Sequence, residues 1–329
     1  MSASDPSRPP SALAAPTTGL LTAASRPAIA SPPAIDTSRR IGLALGGGGA
    51  RGIGHVAILE VFDELGIKPS FIAGTSIGAL IGAAYAGGMS AALIRAQLVE
   101  ALSHRFLLLR QLLGARSQPI QRLLNVLPLR SAVLDPEVLL DIVLPSGMPE
   151  RFEDLEIPFL AVATDMQAQT DVDFATGLLK PAIAASIAIP VLFSPVRIDG
   201  RLYADGGLVD PLPIGKLAGH ADLTIAVDVT GERDPAALAG HPSVTTMLVH
   251  SIAIIQKTII RERLLHTEPD ILMSLEVGTF GALQFHKVNG ILEAVEPAKA
   301  AFRDKLVSLL SGAEPATAGS PAKPGGASP

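Results

Sequence analysis

The sequence predicts a single α/β domain, with a mostly parallel central sheet flanked by helices in three α/β/α layers. Three observations carry this. Short apolar runs bounded by glycine read as buried strands. Segments with apolar residues on one helical face follow them directly. Their order over residues 41–88 is strand, helix, strand, helix, which calls for helical crossovers between parallel strands.

The first strand is IGLAL, residues 41–45. HVAILEVFDELG, residues 55–66, follows as a helix with Ile58, Leu59, Phe62 and Leu65 on one face and Gly66 as its stop. SFIAG, residues 70–74, is the second strand, and IGALIGAAYAGG, residues 77–88, a helix of small residues ending at Gly87 and Gly88. Residues 90–150 read as mostly helical. PFLAVATD, residues 158–165, is the next strand. VRIDGRLYADGG is a hairpin, because Asp199-Gly200 between VRI and RLY signals a type I′ turn. LTIAVDVT, residues 223–230, is a late core strand, residues 245–265 form a long helix, and DILMSLEV, residues 270–277, adds one more strand. There is no internal repeat.

The chain has 329 residues, 48% of them hydrophobic, which is ample for one sizeable core. It contains no Cys, so disulfides and thiolate zinc sites are excluded and a reducing compartment fits. A net charge of −5, no Trp and two Tyr argue against nucleic-acid binding. Residues 1–39 and 311–329 are rich in Ala, Pro and Ser or Gly and read as a disordered arm and tail around a domain at 40–310. With no signal peptide pattern and no run of 18 apolar residues, the expected location is cytoplasmic.

The loop after the first strand holds four consecutive glycines, Gly46 to Gly49. Gly47-Gly48-Gly49-Ala50-Arg51-Gly52 fits G-x-G-x-x-G between a strand and a helix, a dinucleotide motif. That reading lacks the acidic residue at the end of the second strand that would hold a ribose. A P-loop would need Lys and Ser or Thr after the last glycine, where Ile53 and Gly54 stand. A tight strand–helix turn needs fewer glycines. The remaining reading is an oxyanion hole, in which successive backbone N–H groups at a helix N-terminus converge on one developing charge.

An oxyanion hole implies a nucleophile. Gly74-Thr75-Ser76-Ile77-Gly78 is G-x-S-x-G at a strand–helix turn, the setting of a nucleophile elbow. Ser76 is the candidate nucleophile, and Gly74 and Gly78 are the small flanking residues a sharp turn demands. None of the seven His has the setting of a catalytic base, and His250 and His266 fall in the long helical pattern. Asp205, followed by Gly206 and Gly207, is the better candidate, since a carboxylate at hydrogen-bond distance can take the serine proton directly. Asp165 and Asp228 end strand patterns and read as structural caps.

Taken together, these motifs resemble the patatin-like phospholipases, in the bacterial branch related to neuropathy target esterase. GGGGARG is similar to that family's oxyanion loop, GTSIG to its nucleophile elbow and ADGG to its catalytic Asp motif. ATD, residues 163–165, and ASIAIPVLFSPV, residues 185–196, are similar to further family stretches. The resemblance implies a Ser76–Asp205 dyad without His. It also implies an oxyanion hole from Gly47, Gly48 and Gly49 with Arg51 alongside, a lipid ester substrate, and no metal or cofactor. A catalytically idle regulatory or membrane-associated member is the alternative, and the complete Ser76/Asp205 pair speaks against it.

Residues 95–130 hold six Arg and one Glu, a local charge of +5, with Leu and Arg at helical spacing. This pattern suggests a lid or a docking element for an anionic membrane surface, placing the protein peripherally at the inner membrane.

Overall fold

An eight-stranded sheet forms the centre of the molecule, in the order β5-β6-β3-β2-β1-β7-β8, with β4 paired to β3. The strands are β1 (Ile41–Leu45), β2 (Phe71–Thr75), β3 (Phe159–Asp165), β4 (Thr170–Phe174), β5 (Val196–Ile198), β6 (Arg201–Asp205), β7 (Leu223–Asp228) and β8 (Ile271–Ser274). The run β3-β2-β1-β7-β8 is parallel, whereas β4, β5 and β6 join antiparallel. Among the described residues the α-helices are α1 (His55–Leu65), α2 (Ile77–Ala86), α3 (Ala91–Glu100), α4 (Pro136–Val143), α5 (Leu179–Ile187), α6 (Val244–Leu264), α7 (Val288–Ala294) and α8 (Glu296–Leu310).

This is a computed structural model that describes residues 36, 38–102, 134–145, 147–190, 192–231 and 244–312, all within one unit spanning residues 35–329. Nearly all of the expected arm and tail, and residues 103–130 of the basic segment, lie outside the described residues. The described part of that segment, residues 95–102, packs against the domain. Leu98, Ala101 and Leu102 are buried, and Arg95 pairs with Glu60 at 2.6 Å and Glu296 at 3.0 Å.

Side-chain alternation along the strands divides the core between two faces. Leu43, Leu45, Ile72, Ile225 and Val227 point into the larger cluster with Ile58, Phe62, Ile81, Ile183 and Phe302 of the helices. Ala44, Ala73, Val162 and Ala226 face the other way, against Leu212, Leu217 and Ile260 of α6. The expected three layers are present, but the second helical layer is thin, and small Ala residues on that sheet face match it. The strands and helices expected at 41–88 and 158–277 fall within a few residues of those observed, whereas most of the helical stretch expected at 90–150 lies outside the described residues. Gly66 ends α1 at φ 66, and Asp199 and Gly200 both carry positive φ, as a type I′ turn requires.

One detail of the sheet positions the site. Residues 161–165 of β3 pair with β4 along one edge. The opposite edge is shared: β2 pairs as far as Thr75↔Val162, and β6 takes over at Asp205↔Ala163. Strand β6 thus runs antiparallel into the end of β2. The C-terminal residues of two strands remote in sequence meet end to end.

Candidate active site

The chain leaves β2 through Ser76, which has φ 55 and ψ −123 before α2 begins. Positive φ is strained for a residue with a Cβ. The turn is held by its neighbours. A Cβ on Gly74 would lie 2.6 Å from the Gly78 carbonyl, and one on Gly78 would overlap the Leu45 carbonyl. Both glycines of G-x-S-x-G are therefore required for α2 to pass so close to β1 and β2.

Ser76 Oγ donates to Asp205 Oδ2 at 2.6 Å. Both residues are buried, 4% and 2% exposed. The other carboxylate oxygen, Oδ1, accepts the Gly207 N–H at 2.7 Å. Burial pushes the Asp205 carboxyl up to about 6, against the lowering effect of the Ser76 and Gly207 hydrogen bonds. Gly206 packs so closely on the Val162 carbonyl that a Cβ would overlap it. The structure thus brings Ser76, Asp205 and the Asp-Gly-Gly glycines together. Asp165 and Asp228 cap turns, accepting from Gln167 and Thr230 N–H groups at 2.9 and 2.7 Å.

The glycine loop differs from the expected set of three oxyanion donors. Gly46 N–H donates to the Val227 carbonyl and Gly47 N–H to the Pro211 carbonyl at 2.8 Å. Gly47 is therefore not available as an oxyanion donor. Among the described residues, no hydrogen bond takes up the N–H of Gly48 or Gly49. Both glycines border the cavity at Ser76. Gly49 has φ 61 and passes close under the Ala282 carbonyl, so a side chain fits neither its backbone nor its surroundings.

Arg51 is placed beneath this loop. It is 1% exposed, its Nε donates to the Gly48 carbonyl at 3.2 Å, and its Nη1 donates to the Thr230 carbonyl. In a trans peptide the C=O and N–H point in opposite directions. Holding the Gly48 carbonyl therefore turns the Gly49 N–H away from Arg51. His55 acts similarly, through Nε2 and the Gly46 carbonyl at 2.8 Å, with burial pushing the imidazole down to about 4 so that it stays neutral. Gly52 lies against Ile77, leaving no room for a Cβ.

Two groups were not assigned from the sequence. Ser186 Oγ accepts the Ser76 N–H at 2.9 Å and donates to the Val162 carbonyl at 2.6 Å, tying the elbow to β3. It lies within the ASIAIPVLFSPV stretch, where an apolar setting gave no chemical cue. Asp210, fully buried, forms an ion pair with Arg263 of α6 at 3.1 Å. The Asp210 carbonyl accepts from Thr75 Oγ1 at 2.8 Å, and Arg263 also donates to the Val209 carbonyl. This latch fastens α6 to the loop that carries Asp205. Burial pushes the Asp210 carboxyl up to about 6, opposed by Arg263 and Lys216.

Among the described residues, two cavities open from Ser76, both bordered by Gly49 and Ile189. One passes Asp205, Leu208, Gln256 and Val249 beneath α6. The other runs between Leu80, Leu98, Leu139, Val143 and Phe285. Among the described residues, no group of three or more His, Asp or Glu is placed to hold a metal, and no helix is long and apolar enough to cross a membrane.

The chain is similar to several known proteins. The chain is 40% identical over 210 residues to an NTE family protein of Mycobacterium tuberculosis, covering 64% of this chain and 54% of that protein. It is 32% identical over 209 residues to patatin-like phospholipase domain-containing protein 7 of Rattus norvegicus, covering 62% of this chain and 14% of that one. Lysophospholipase NTE1 of Saccharomyces cerevisiae is 31% identical over 201 residues, 60% of this chain and 11% of the relative. The match thus spans about half of the mycobacterial protein and a small part of the others. Among solved structures, VipD from Legionella pneumophila aligns with a TM-score of 0.43 at 16% identity, over 83% of this chain and 67% of that one. The family profile for patatin-like phospholipases matches residues 43–218, which include the glycine loop, the elbow and the Asp-Gly-Gly turn. The chain belongs to the patatin-like phospholipase family.

Proposed function

We propose that the protein is a serine acyl hydrolase that cleaves lipid esters of the phospholipase A or lysophospholipase type through a Ser76–Asp205 dyad. The observation that carries this reading is the 2.6 Å hydrogen bond from Ser76 Oγ to Asp205 Oδ2, at a strained elbow beside two open backbone N–H groups. Membership of a phospholipase family supports the lipid substrate.

Asp205 accepts the Ser76 proton as Oγ attacks the ester carbonyl. The carbonyl oxygen becomes an oxyanion and takes hydrogen bonds from Gly48 and Gly49 N–H, with the buried Arg51 charge behind them. Collapse of the tetrahedral intermediate breaks the bond to the alkoxy oxygen, and Asp205 returns the proton to the leaving alcohol. Water, deprotonated by Asp205, then releases the fatty acid from Ser76, and Asp205 returns that proton to Ser76 Oγ. The apolar cavities shield the acyl-enzyme, and none of these steps requires a cofactor.

The test is turnover of a p-nitrophenyl ester and of a lysophospholipid by wild type and Ser76→Ala. Hydrolysis by wild type that disappears in a folded Ser76→Ala protein supports the proposal. Equal turnover by both refutes it.

A further inference from the structure

The two cavities at Ser76 differ in chemistry, and the difference bears on how an ester lies across the dyad. An ester has an acyl side and an alcohol side, and the two must leave Ser76 in different directions. The alcohol oxygen has to lie near the group that reprotonates it. Under the mechanism above that group is Asp205, which borders the cavity beneath α6 and not the other.

The other cavity suits a hydrocarbon chain. Its lining away from Ser76 and Gly49 is wholly apolar, from Ile77 and Leu80 of α2 to Leu139 and Val143 of α4 and Phe285 beyond. It encloses about 440 Å³ of empty space, part of it open to solvent. Burying a methylene there gains about 0.8 kcal/mol.

The cavity beneath α6 contains one polar side chain with no function so far. Gln256 is 9% exposed, and its amide nitrogen lies against Gly207, directly over the catalytic turn. Among the described residues its carboxamide makes no hydrogen bond, although it borders the cavity with Asp205. A carboxamide that borders the cavity in this way can both donate to and accept from a polar group of a bound ligand. The surrounding residues, Leu208, Val249, Ile252 and Ala253, are apolar.

We infer that the ester binds in one polarity: the acyl chain enters the Leu80–Leu139–Val143 cavity, the alcohol half lies beneath α6, and Gln256 is a specificity-determining residue that hydrogen-bonds a polar group of that alcohol. The inference rests on the hydrolase reading above. It assigns the substrate as a fatty ester of a hydroxylated or phosphorylated alcohol, such as a glycerolipid. In the acylation step the Oγ–acyl bond forms and the acyl–alkoxy bond breaks on the Gln256 side, and the Ser76 proton travels through Asp205 to the departing oxygen.

Two substrate series test it. In the first, the p-nitrophenyl alcohol is constant and the acyl group is butanoyl or dodecanoyl. Leu139→Trp, and Phe285→Trp as a second variant should the first not fold, lower the dodecanoyl-to-butanoyl ratio of kcat/KM about tenfold. Val249→Trp, beneath α6, leaves that ratio within about twofold of wild type. In the second series the acyl chain is constant and the alcohol is glycerol or p-nitrophenol. Gln256→Leu lowers the glycerol-to-nitrophenol ratio about tenfold. Melting temperatures establish that each variant is folded. The opposite pattern, with Val249→Trp changing acyl preference, overturns the inference, as do unchanged ratios in an active enzyme, and either leaves the hydrolase reading intact. Absence of any turnover by wild type overturns both.

Discussion

Thr75 and Asp205 occupy consecutive pairing positions on one edge of β3, opposite Val162 and Ala163. Strand β2 ends where β6 arrives from the other direction, so the residue after Thr75 meets the last residue of β6. That arrangement sets the 2.6 Å contact between Ser76 and Asp205 by backbone pairing rather than by side-chain reach.

Asp205 has to be ionised to act as a base. With its carboxyl pushed up to about 6 by burial, kcat/KM rises with pH and is half-maximal near pH 6. A pH profile with its acidic limb near 4 would contradict this.

The same burial penalises folding at neutral pH. A raised carboxyl pKa means the folded state binds the proton more tightly, so the unfolded chain ionises first as pH rises. Stability therefore falls between about pH 4 and pH 6. Asp205→Asn removes that penalty, a gain of up to about 3 kcal/mol at pH 7 that shrinks toward zero below pH 4. Denaturant melts at the two pH values measure it, with turnover lost in the variant.

Strain at Ser76 predicts a difference between two inactive variants. Ser76→Gly relieves the positive φ whereas Ser76→Ala retains it, so the glycine variant is the more stable by about 1–2 kcal/mol. Equal melting temperatures would count against a strained elbow.

Much of this site was legible because its patterns are local. IGLAL, GTSIG and ADGG each encode a strand end and a tight turn within a few residues, and Gly78 is dictated by the Leu45 carbonyl it crosses. What sequence could not supply came from distant partners. Nothing near Gly47 signals that Pro211 takes its N–H, and nothing near Ser186 signals that it joins Ser76 to Val162. Strand β4 (TDVDF) is largely solvent-facing and gains its extended form from pairing with β3. Helix α5 carries Pro181 in its first turn, where proline is tolerated but reads as a breaker.

Ser186→Ala leaves the Ser76 N–H and the Val162 carbonyl without their partner, at a cost of about 1–3 kcal/mol. It also loosens the elbow, so kcat falls while KM changes little. Ser186→Thr, which keeps the hydroxyl, recovers part of kcat if the hydrogen bond is the cause.

The Asp210–Arg263 latch predicts a pH-dependent loss. Arg263→Met removes the nearest counter-charge of a buried carboxylate, costing about 1–3 kcal/mol at pH 7 because the guanidinium is itself partly exposed. The loss is smaller near pH 5, where Asp210 is protonated in the folded state. Thermal melts at both values check it.

The most direct measurement is labelling by a fluorophosphonate, read by intact mass and peptide mapping on wild type, Ser76→Ala and Asp205→Asn. The account predicts one adduct per chain, on Ser76, absent in Ser76→Ala and formed at least about a hundredfold more slowly in Asp205→Asn. An adduct on another residue, or labelling of Asp205→Asn at the wild-type rate, would contradict the dyad.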